Sequence, residues 1–367
     1  MKIKCFTYIS VLSALFIAYV VADELFYQDN LTNKYIASQF ESESIIKAQC
    51  SQNVRCGSVY TKQFYRDNNY NLVWSKNGQL LPLAIQCLTV LQDSYQEGLN
   101  PPDYHIVKIQ TLLDYLKNHN EDNEKIAQLD ILLTDAFFLY SSHVVLGRVN
   151  NKVIYPNWII TKRAVNLIDV LHQVLQSQNF KDTIDRLMPH NQEYLKLKQQ
   201  LGIYQQLALK YKSWEQVPIG SKLVEGMHGD RVYRLQQRLL VSGELKHTSP
   251  SKVFEHDLLQ AVVLFQQNNG LIADGVVGKT TIDTLNIPLM TRIKQIELNM
   301  DRFRYLPSDL GTQYIMVNIP SFSLKVIAND QTVLDMPVIV GSERGLQSCV
   351  LSSQITYLDI NPYWYIP

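Results

Sequence analysis

Residues 129–140, Leu-Asp-Ile-Leu-Leu-Thr-Asp-Ala-Phe-Phe-Leu-Tyr, decide the fold of the first half of this chain. Their apolar side chains recur three and four positions apart, the spacing of one helix face, and Gly147 stands where such a helix would end. Further segments on both sides have the same character, so the sequence predicts a helical scaffold over residues 23–215. These segments are Ala84–Tyr95, Leu167–Leu175, Asp182–Met188 and Glu193–Tyr211.

Residues 222–288 form a second region, which follows the linker-like stretch 216–221. Apolar residues from Leu258 to Phe265 share one helix face. Val253-Phe254 has a faint echo in Val276-Val277, as expected for a short repeat of a turn followed by a helix. The region is therefore predicted to be a compact helical module.

The pattern changes in the third region, residues 291–367. Ile293–Tyr305 keeps helical spacing. Short runs of β-forming residues follow at Tyr314–Ile319, Phe322–Ile327, Thr332–Val340 and Gln354–Ile360. The sequence thus predicts a helix and about four strands. Edges such as Ile355-Thr356-Tyr357 would be unpaired in so small a sheet, which predicts an unstable region or a fragment of a longer protein.

Residues 1–22 have the pattern of an export signal. Lys2 and Lys4 precede an apolar run, and Val20-Val21-Ala22 supplies the small residues of a cleavage site. The run is shorter than the roughly 20 apolar residues that span a bilayer, and we expect no later segment to be long and apolar enough to span one. We expect export with cleavage of the signal; an uncleaved membrane anchor is the alternative.

Charge and cysteine spacing exclude several classes of protein. Lys plus Arg equals Asp plus Glu at 34 each, so the chain lacks the basic excess of nucleic-acid-binding proteins. There is no Cys-x-x-Cys string and no paired His/Cys spacing, so neither a metal site nor a cofactor is predicted. Cys87 lies on a helical stripe, as a buried thiol would. Cys50 and Cys56 are close enough to close a small loop, and their disulfide stays an open alternative.

Short strings of specific composition occur in a fixed order through the three regions. They are Gly98–His105, Leu132–Phe137 and Gly147–Val149, then Gly229–Val232 and Asp274–Thr280, then Asn318–Pro320, Val338–Gly341 and Asn361–Trp364. In this order the chain resembles the multidomain murein L,D-transpeptidases, which have a helical scaffold, a peptidoglycan-binding module and a YkuD-like catalytic domain. The resemblance implies an α+β multidomain fold with a small three-helix module at 222–288 and an incomplete β-rich YkuD-like domain at 291–367.

The catalytic motif of that family is missing from this sequence. The resemblance implies a cysteine thiolate, activated by a histidine within a Ser-His-Gly-Cys string, which forms a thioacyl-enzyme with a stem peptide. No such string occurs, no histidine follows His256, and Cys349 lies upstream of the expected nucleophile. No catalytic residue is therefore predicted. The chain is interpreted as a truncated, catalytically inactive family member that retains peptidoglycan binding.

Two other functions are weighed against this interpretation. One is a non-enzymatic periplasmic peptidoglycan-binding or scaffold protein, with other cell-wall synthesis proteins as partners. The other is an exported hydrolase with paired carboxylates, which the spacing of Asp301, Asp309, Asp330 and Asp335 does not favour. For the truncated family member and for the non-enzymatic binding protein alike, we expect a periplasmic mature protein. Its expected partners are the glycan strands and stem peptides of peptidoglycan.

The candidate binding residues lie in the second region: Arg231, Gln266, Asp274, Gly275 and Thr280. Arg231 is a candidate partner for a stem-peptide carboxylate, with a solvated surface arginine as the alternative, and Gln266 is a candidate for a polar contact. Asp274 and Gly275 form an Asp-Gly turn, and Thr280 stands near the start of the next helix. For these three residues the alternative is a purely structural role in the turn and the helix cap.

Overall fold

The structure, a computed structural model, describes residues 30–40, 57–76, 78–149, 165–211, 213–247, 251–307, 310–342, 347–361 and 363. It divides into two compact units. The first takes in 1–191, 301–309 and 349–367, and the second 192–300 and 310–348. The predicted export signal at 1–22 and the Cys50–Cys56 pair lie outside the described residues.

The first unit is built from helices. In chain order they are α1 at 30–40, α2 (Ser58–Asp67), α3 (Pro82–Gln92), α4 (Ile106–Leu116), α5 (Asn123–Leu146), α6 (Leu167–Ser177) and α7 (Phe180–Asp185). Between α2 and α3, the short strand β1 (Ser75–Lys76) pairs antiparallel with β2 (Gln79–Leu80).

Helix α5 is the centre of this unit's core. Its apolar side chains are buried on all sides because α2, α3, α4 and α6 pack around it. At its start the Asp122 carboxylate accepts a hydrogen bond from the backbone N–H of Lys125 (3.1 Å). At its end Gly147 takes a positive φ of 75°. The helix predicted from residues 129–140 is confirmed.

The length and hydropathy of α5 would also suit a membrane span. The helix has 24 residues, and its most apolar window has a mean hydropathy of 1.4. Of that window, 89% is buried inside the protein, as in the core helix of a folded domain. The expectation that no segment after the export signal is long and apolar enough to span a bilayer was wrong for α5, and burial is what identifies it as a core helix.

Helix α3 ends earlier than its sequence pattern predicts. The chain tightens into a 3₁₀ turn at Asp93–Glu97, and Gly98 then adopts a left-handed conformation. Tyr95, predicted to lie on the buried stripe, is 45% exposed because the tighter turn rotates it away from that stripe. The prediction for Cys87 is confirmed, since its side chain is fully buried.

A segment far along the chain completes the first unit. Asp301 accepts a hydrogen bond from the backbone N–H of Arg148 (3.0 Å), and the buried Arg304 lies 3.4 Å from the same carboxylate oxygen. The ring of Tyr305 packs against Gly147, where a Cβ atom would lie 2.3 Å from the ring. Residues 301–305 therefore close over the end of α5.

The second unit contains five helices among the described residues: α8 (Gln192–Lys210), α9 (Asp230–Ser242), α10 (His256–Asn268), α11 (Lys279–Leu285) and α12 (Leu289–Phe303), whose last three residues belong to the first unit. Helices α9, α10 and α11 enclose one apolar core. Isolated β-bridges join Leu223 to Val277 and His228 to Val253. We call residues 213–288 the three-helix module; they include the region 222–288 for which a three-helix module was predicted.

The described strands of the second unit form one antiparallel sheet in the order β3 (Gln313–Asn318), β4 (Ser323–Ala328), β5 (Gln331–Pro337). The pairing register places six apolar side chains on one face. They are Ile315 and Val317 on β3, Leu324 and Val326 on β4, and Leu334 and Met336 on β5. The four on β3 and β5 are 44–49% exposed. We call this surface the apolar sheet face.

The fourth predicted strand does not form. Residues 354–360 are described and exposed, and they have no strand conformation. Their apolar and β-branched side chains favour a strand, but a strand needs a hydrogen-bonding neighbour, which 354–360 lack within the described chain. The α+β multidomain class itself is confirmed.

Candidate functional site

The turn at Asp274-Gly275 is fixed by its own geometry. Gly275 has a φ of +72°, and a Cβ atom there would lie 2.3 Å from Leu259 Cδ1. The carboxylate of Asp274 accepts a hydrogen bond from the backbone N–H of Val276 (2.9 Å). That bond lowers the pKa of Asp274, so the carboxylate is ionised and caps the turn.

Gln266 holds this turn against α10. Its Nε2 atom donates to the Val276 carbonyl (3.0 Å) and to the Asp274 carboxylate (3.1 Å), and its Oε1 atom accepts from the Gly275 N–H (2.9 Å). The side chain is buried. Its amide is fully engaged within the module, so what it does in this structure is position the turn.

Asp274 and Thr280 are the predicted residues whose side chains lie at the surface. Thr280 is the second residue of α11, one position after Lys279, and its carbonyl accepts from the Thr284 hydroxyl (2.8 Å). Both residues flank the entrance of α11, so this end of the module presents a carboxylate and a hydroxyl to solvent.

Arg231 ties the linker to α9. Its Nε donates to the Pro218 carbonyl (3.0 Å) and its Nη1 to the Ser221 carbonyl (2.9 Å). Gly220 lies beneath the guanidinium, where a Cβ atom would come within 2.8 Å of Cζ. The structure brings Arg231 to residues 218–221 and does not bring it together with Asp274 and Gln266 through any hydrogen bond of the described residues.

A buried arginine was missed by sequence reasoning. The Arg238 guanidinium stacks on Trp214, 3.6 Å from the ring centroid, and its Nε donates to the Leu285 carbonyl (2.9 Å). Burial lowers the pKa of Arg238 to about 10. Trp214 in turn donates from Nε1 to the Ile287 carbonyl (2.9 Å). Arg238 follows the buried Leu235 by three positions, and that helical spacing was the available signal.

Two strings of the first unit meet through a histidine and a carboxylate. His105 Nε2 lies 2.8 Å from Asp135 Oδ2, and Asp135 is buried on α5. The Thr61 hydroxyl donates to the other oxygen of Asp135 (3.1 Å). His105 has a left-handed φ of 57°, so the pair fixes a strained turn that precedes α4.

The cysteines of the described chain differ in their surroundings. Burial raises the pKa of the Cys87 thiol far above its usual value, which keeps it protonated and inert. Cys349 is an exposed free thiol. Among the described residues, no hydrogen bond joins Cys349 to a histidine, and no group of three His, Cys, Asp or Glu side chains is placed to hold a metal ion.

Two family models match the chain. Residues 60–201 match the Scaffold domain, and residues 228–285 match the peptidoglycan binding domain. The first match falls within the helical first region, and the second covers α9, α10 and α11. No curated protein matches this sequence. A scaffold domain combined with a peptidoglycan binding domain fits the architecture of a cell-wall enzyme.

Proposed function

We propose that this protein binds peptidoglycan through its three-helix module. The observation that carries the proposal is the match of residues 228–285 to the peptidoglycan binding domain. The geometry supports it, because the buried Gln266 holds the turn in place and Arg231 holds the linker at the module surface. A surface on such a preformed frame loses little conformational entropy when it binds a polymer.

The finer proposal is descent from the multidomain L,D-transpeptidases. The order of scaffold and binding domains supports it. Residues 1–367 contain no Ser-His-Gly-Cys string and no histidine after His256. We therefore assign binding to these residues and no acyl transfer, since the reaction needs an activated thiolate. An assay with stem-peptide donor and acceptor is expected to yield no cross-linked product; a thioacyl adduct on Cys349 would overturn this assignment.

The proposed location is the periplasm, with residues 1–22 acting as a cleaved export signal. Fractionation of cells that express the chain, with the mature N-terminus read by mass spectrometry, tests this directly. A mature protein that begins after Ala22 is expected. A protein that retains residues 1–22 in the membrane fraction would support the anchor alternative.

A second candidate function is a non-enzymatic periplasmic scaffold that recruits other proteins. The apolar sheet face favours it, because exposed apolar patches mark sites of protein interaction. Both candidate functions include peptidoglycan binding by the three-helix module. They differ in that the scaffold would also bind other proteins.

Co-sedimentation with purified sacculi tests the binding proposal. The mature chain is expected in the pellet, and a variant that lacks 222–288 is expected in the supernatant. Helical content measured by circular dichroism controls for loss of the first unit in the deletion variant. Equal sedimentation of both proteins would contradict a binding role for the module.

A further inference from the structure

The three-helix module contains the same contact twice. On α9, the buried Gln236 donates from Nε2 to the Val253 carbonyl (3.1 Å). On α10, the buried Gln266 donates from Nε2 to the Val276 carbonyl (3.0 Å). Each glutamine holds the turn that precedes the next helix, which agrees with the internal repeat indicated by the sequence. The two copies allow matching positions to be compared within one chain.

At matching positions the two copies carry different side chains. The residue before Val276 is Gly275, and the residue three positions before Gln266 is Val263; a Cβ atom on Gly275 would lie 3.4 Å from Val263 Cγ2. In the first copy these places are taken by Lys252 and Tyr233, and Lys252 Nζ lies 5.8 Å from the Tyr233 ring centroid. Gly275 is required by its positive φ, which Lys252 does not share, so the comparison is informative at the other position. Valine satisfies the fold there, so packing alone does not call for tyrosine.

Tyr233 is also the exposed aromatic side chain of the module. It is 42% exposed, whereas Trp214, Phe254 and Phe265, the other aromatic residues in the described part of 213–288, are buried. Its backbone N–H donates to the Gly229 carbonyl (3.2 Å) in the first turn of α9. The ring is therefore presented to solvent from a rigid helix, as a stacking platform requires.

Charged groups flank the ring. Lys252 Nζ lies 2.6 Å from the carboxylate of Asp230, which stands one helical turn before Tyr233. The Lys252 carbonyl accepts from the Gly229 N–H (2.9 Å), which fixes the lysine backbone beside α9. The Lys252–Asp230 hydrogen bond raises the pKa of Lys252 and lowers that of Asp230. A cationic donor therefore lies over one face of the Tyr233 ring, with an anionic acceptor beside it, and the opposite face is the one that a ligand can stack on.

We propose that Tyr233, Lys252 and Asp230 form a saccharide subsite that takes one N-acetylhexosamine ring of a glycan strand. This rests on the proposed peptidoglycan binding and assigns it to the glycan. The apolar C–H face of the pyranose packs on the Tyr233 ring. Lys252 donates to, and Asp230 accepts from, hydroxyl and amide groups at the edge of the sugar.

The repeat supplies the test variant, Tyr233→Val, because valine occupies the matching place on α10. Affinity of the full chain is measured for purified sacculi and for a soluble tetramer of N-acetylglucosamine. Tyr233→Val is expected to weaken both by about tenfold, and Lys252→Ala by about threefold. Leu264→Ala, a matched control at a residue 43% exposed on α10, is expected to leave both affinities unchanged.

The outcomes of these measurements distinguish a failure of the proposed saccharide subsite from a failure of the proposed peptidoglycan binding. If the unaltered chain fails to bind sacculi, the proposed function fails. If it binds and Tyr233→Val binds equally well, the subsite is wrong while the function stands. Binding of a free stem peptide without binding of the tetramer overturns the assignment to glycan. Circular dichroism reports folding; should Tyr233→Val unfold, Lys252→Ala and Tyr233→Phe decide, with the phenylalanine variant expected to bind as the original does.

Discussion

The three-helix module and the three-stranded sheet belong to the same unit, but they differ in how far their apolar side chains are buried. In the module, residues such as Leu239 and Phe254 are completely buried between helices. In the sheet, Leu334 and Met336 remain nearly half exposed although every strand is paired. Backbone pairing and burial are thus separate requirements, and a sheet with one apolar face needs a second layer to satisfy both.

The same substitution made in both regions is the strongest test of this contrast. Leu239→Ala is expected to lower the free energy of unfolding by about 2–5 kcal/mol, because it leaves a cavity in a closed core. Leu334→Ala is expected to change it by less than about 1 kcal/mol, since the side chain is 48% exposed. Urea unfolding followed by circular dichroism measures both. Equal losses would mean that the sheet face is covered in solution.

An added methyl group at the Asp274-Gly275 turn is also expected to destabilise the three-helix module. Gly275→Ala combines a positive φ with a contact of 2.3 Å to Leu259, and the expected loss is about 2–4 kcal/mol. Gly278→Ala is the matched control, because Gly278 has a negative φ and nothing within 4 Å of its Cβ position. The control is expected to lose at most about 1 kcal/mol, because Gly278 is the N-cap of α11 and alanine caps helices less well than glycine. A tolerated Gly275→Ala would show that the turn relaxes freely.

A buried carboxyl group in the core of the first unit makes the free energy of unfolding depend on pH. Asp130 is fully buried on α5, and burial raises its pKa to about 6, although hydrogen bonds from Tyr65 and Trp74 oppose the shift. The folded pKa lies above the unfolded value, so the stabilising effect of protonation is present below about pH 4 and is lost as pH rises through 6.

Relative to Asp130→Asn, which does not titrate, the original chain is therefore expected to lose about 2 kcal/mol of unfolding free energy between pH 4 and pH 7. Urea titrations of both proteins at several pH values provide the measurement. A difference that stays constant over this range would show that Asp130 keeps an ordinary pKa in the folded protein.

The smallest expected effect concerns the sheet. Limited proteolysis of the mature chain is expected to cut within 314–367 before it cuts within 222–288, since few buried contacts protect the strands. Leu334→Lys, which adds a charge to the apolar sheet face, is expected to change the free energy of unfolding by less than about 0.5 kcal/mol in urea titrations. Resistance of 314–367 to protease would contradict an open sheet.

The sequence was most informative where apolar residues recur at a single helical spacing. The stripe at 129–140 predicted α5, and the apolar spacing from Leu258 to Phe265 predicted α10. It failed at Tyr95 because a 3₁₀ turn changes the residue period, and at 354–360 because strand propensity does not supply a partner strand.

The candidate site was harder to anticipate. Spacing cannot tell that the amide of Gln266 is fully engaged within the module, nor that Arg238 stacks on Trp214, since both depend on contacts between distant segments. The surface pair Tyr233 and Lys252 leaves no periodic signal. The echo of Val253 in Val276 matches Lys252 with Gly275, but the match of Tyr233 with Val263 requires the contacts of Gln236 and Gln266.

The first unit cannot complete its folding during synthesis until Asp301 and the buried Arg304 have been made. The end of α5 leaves the ribosome about 150 residues before Asp301, which accepts a hydrogen bond from the backbone beside it. At the usual 5–20 residues per second, the end of α5 waits roughly 8–30 s for residues 301–305 to be synthesised. During that interval a nascent chain exposes the surface at Gly147 that the Tyr305 ring covers in the folded protein.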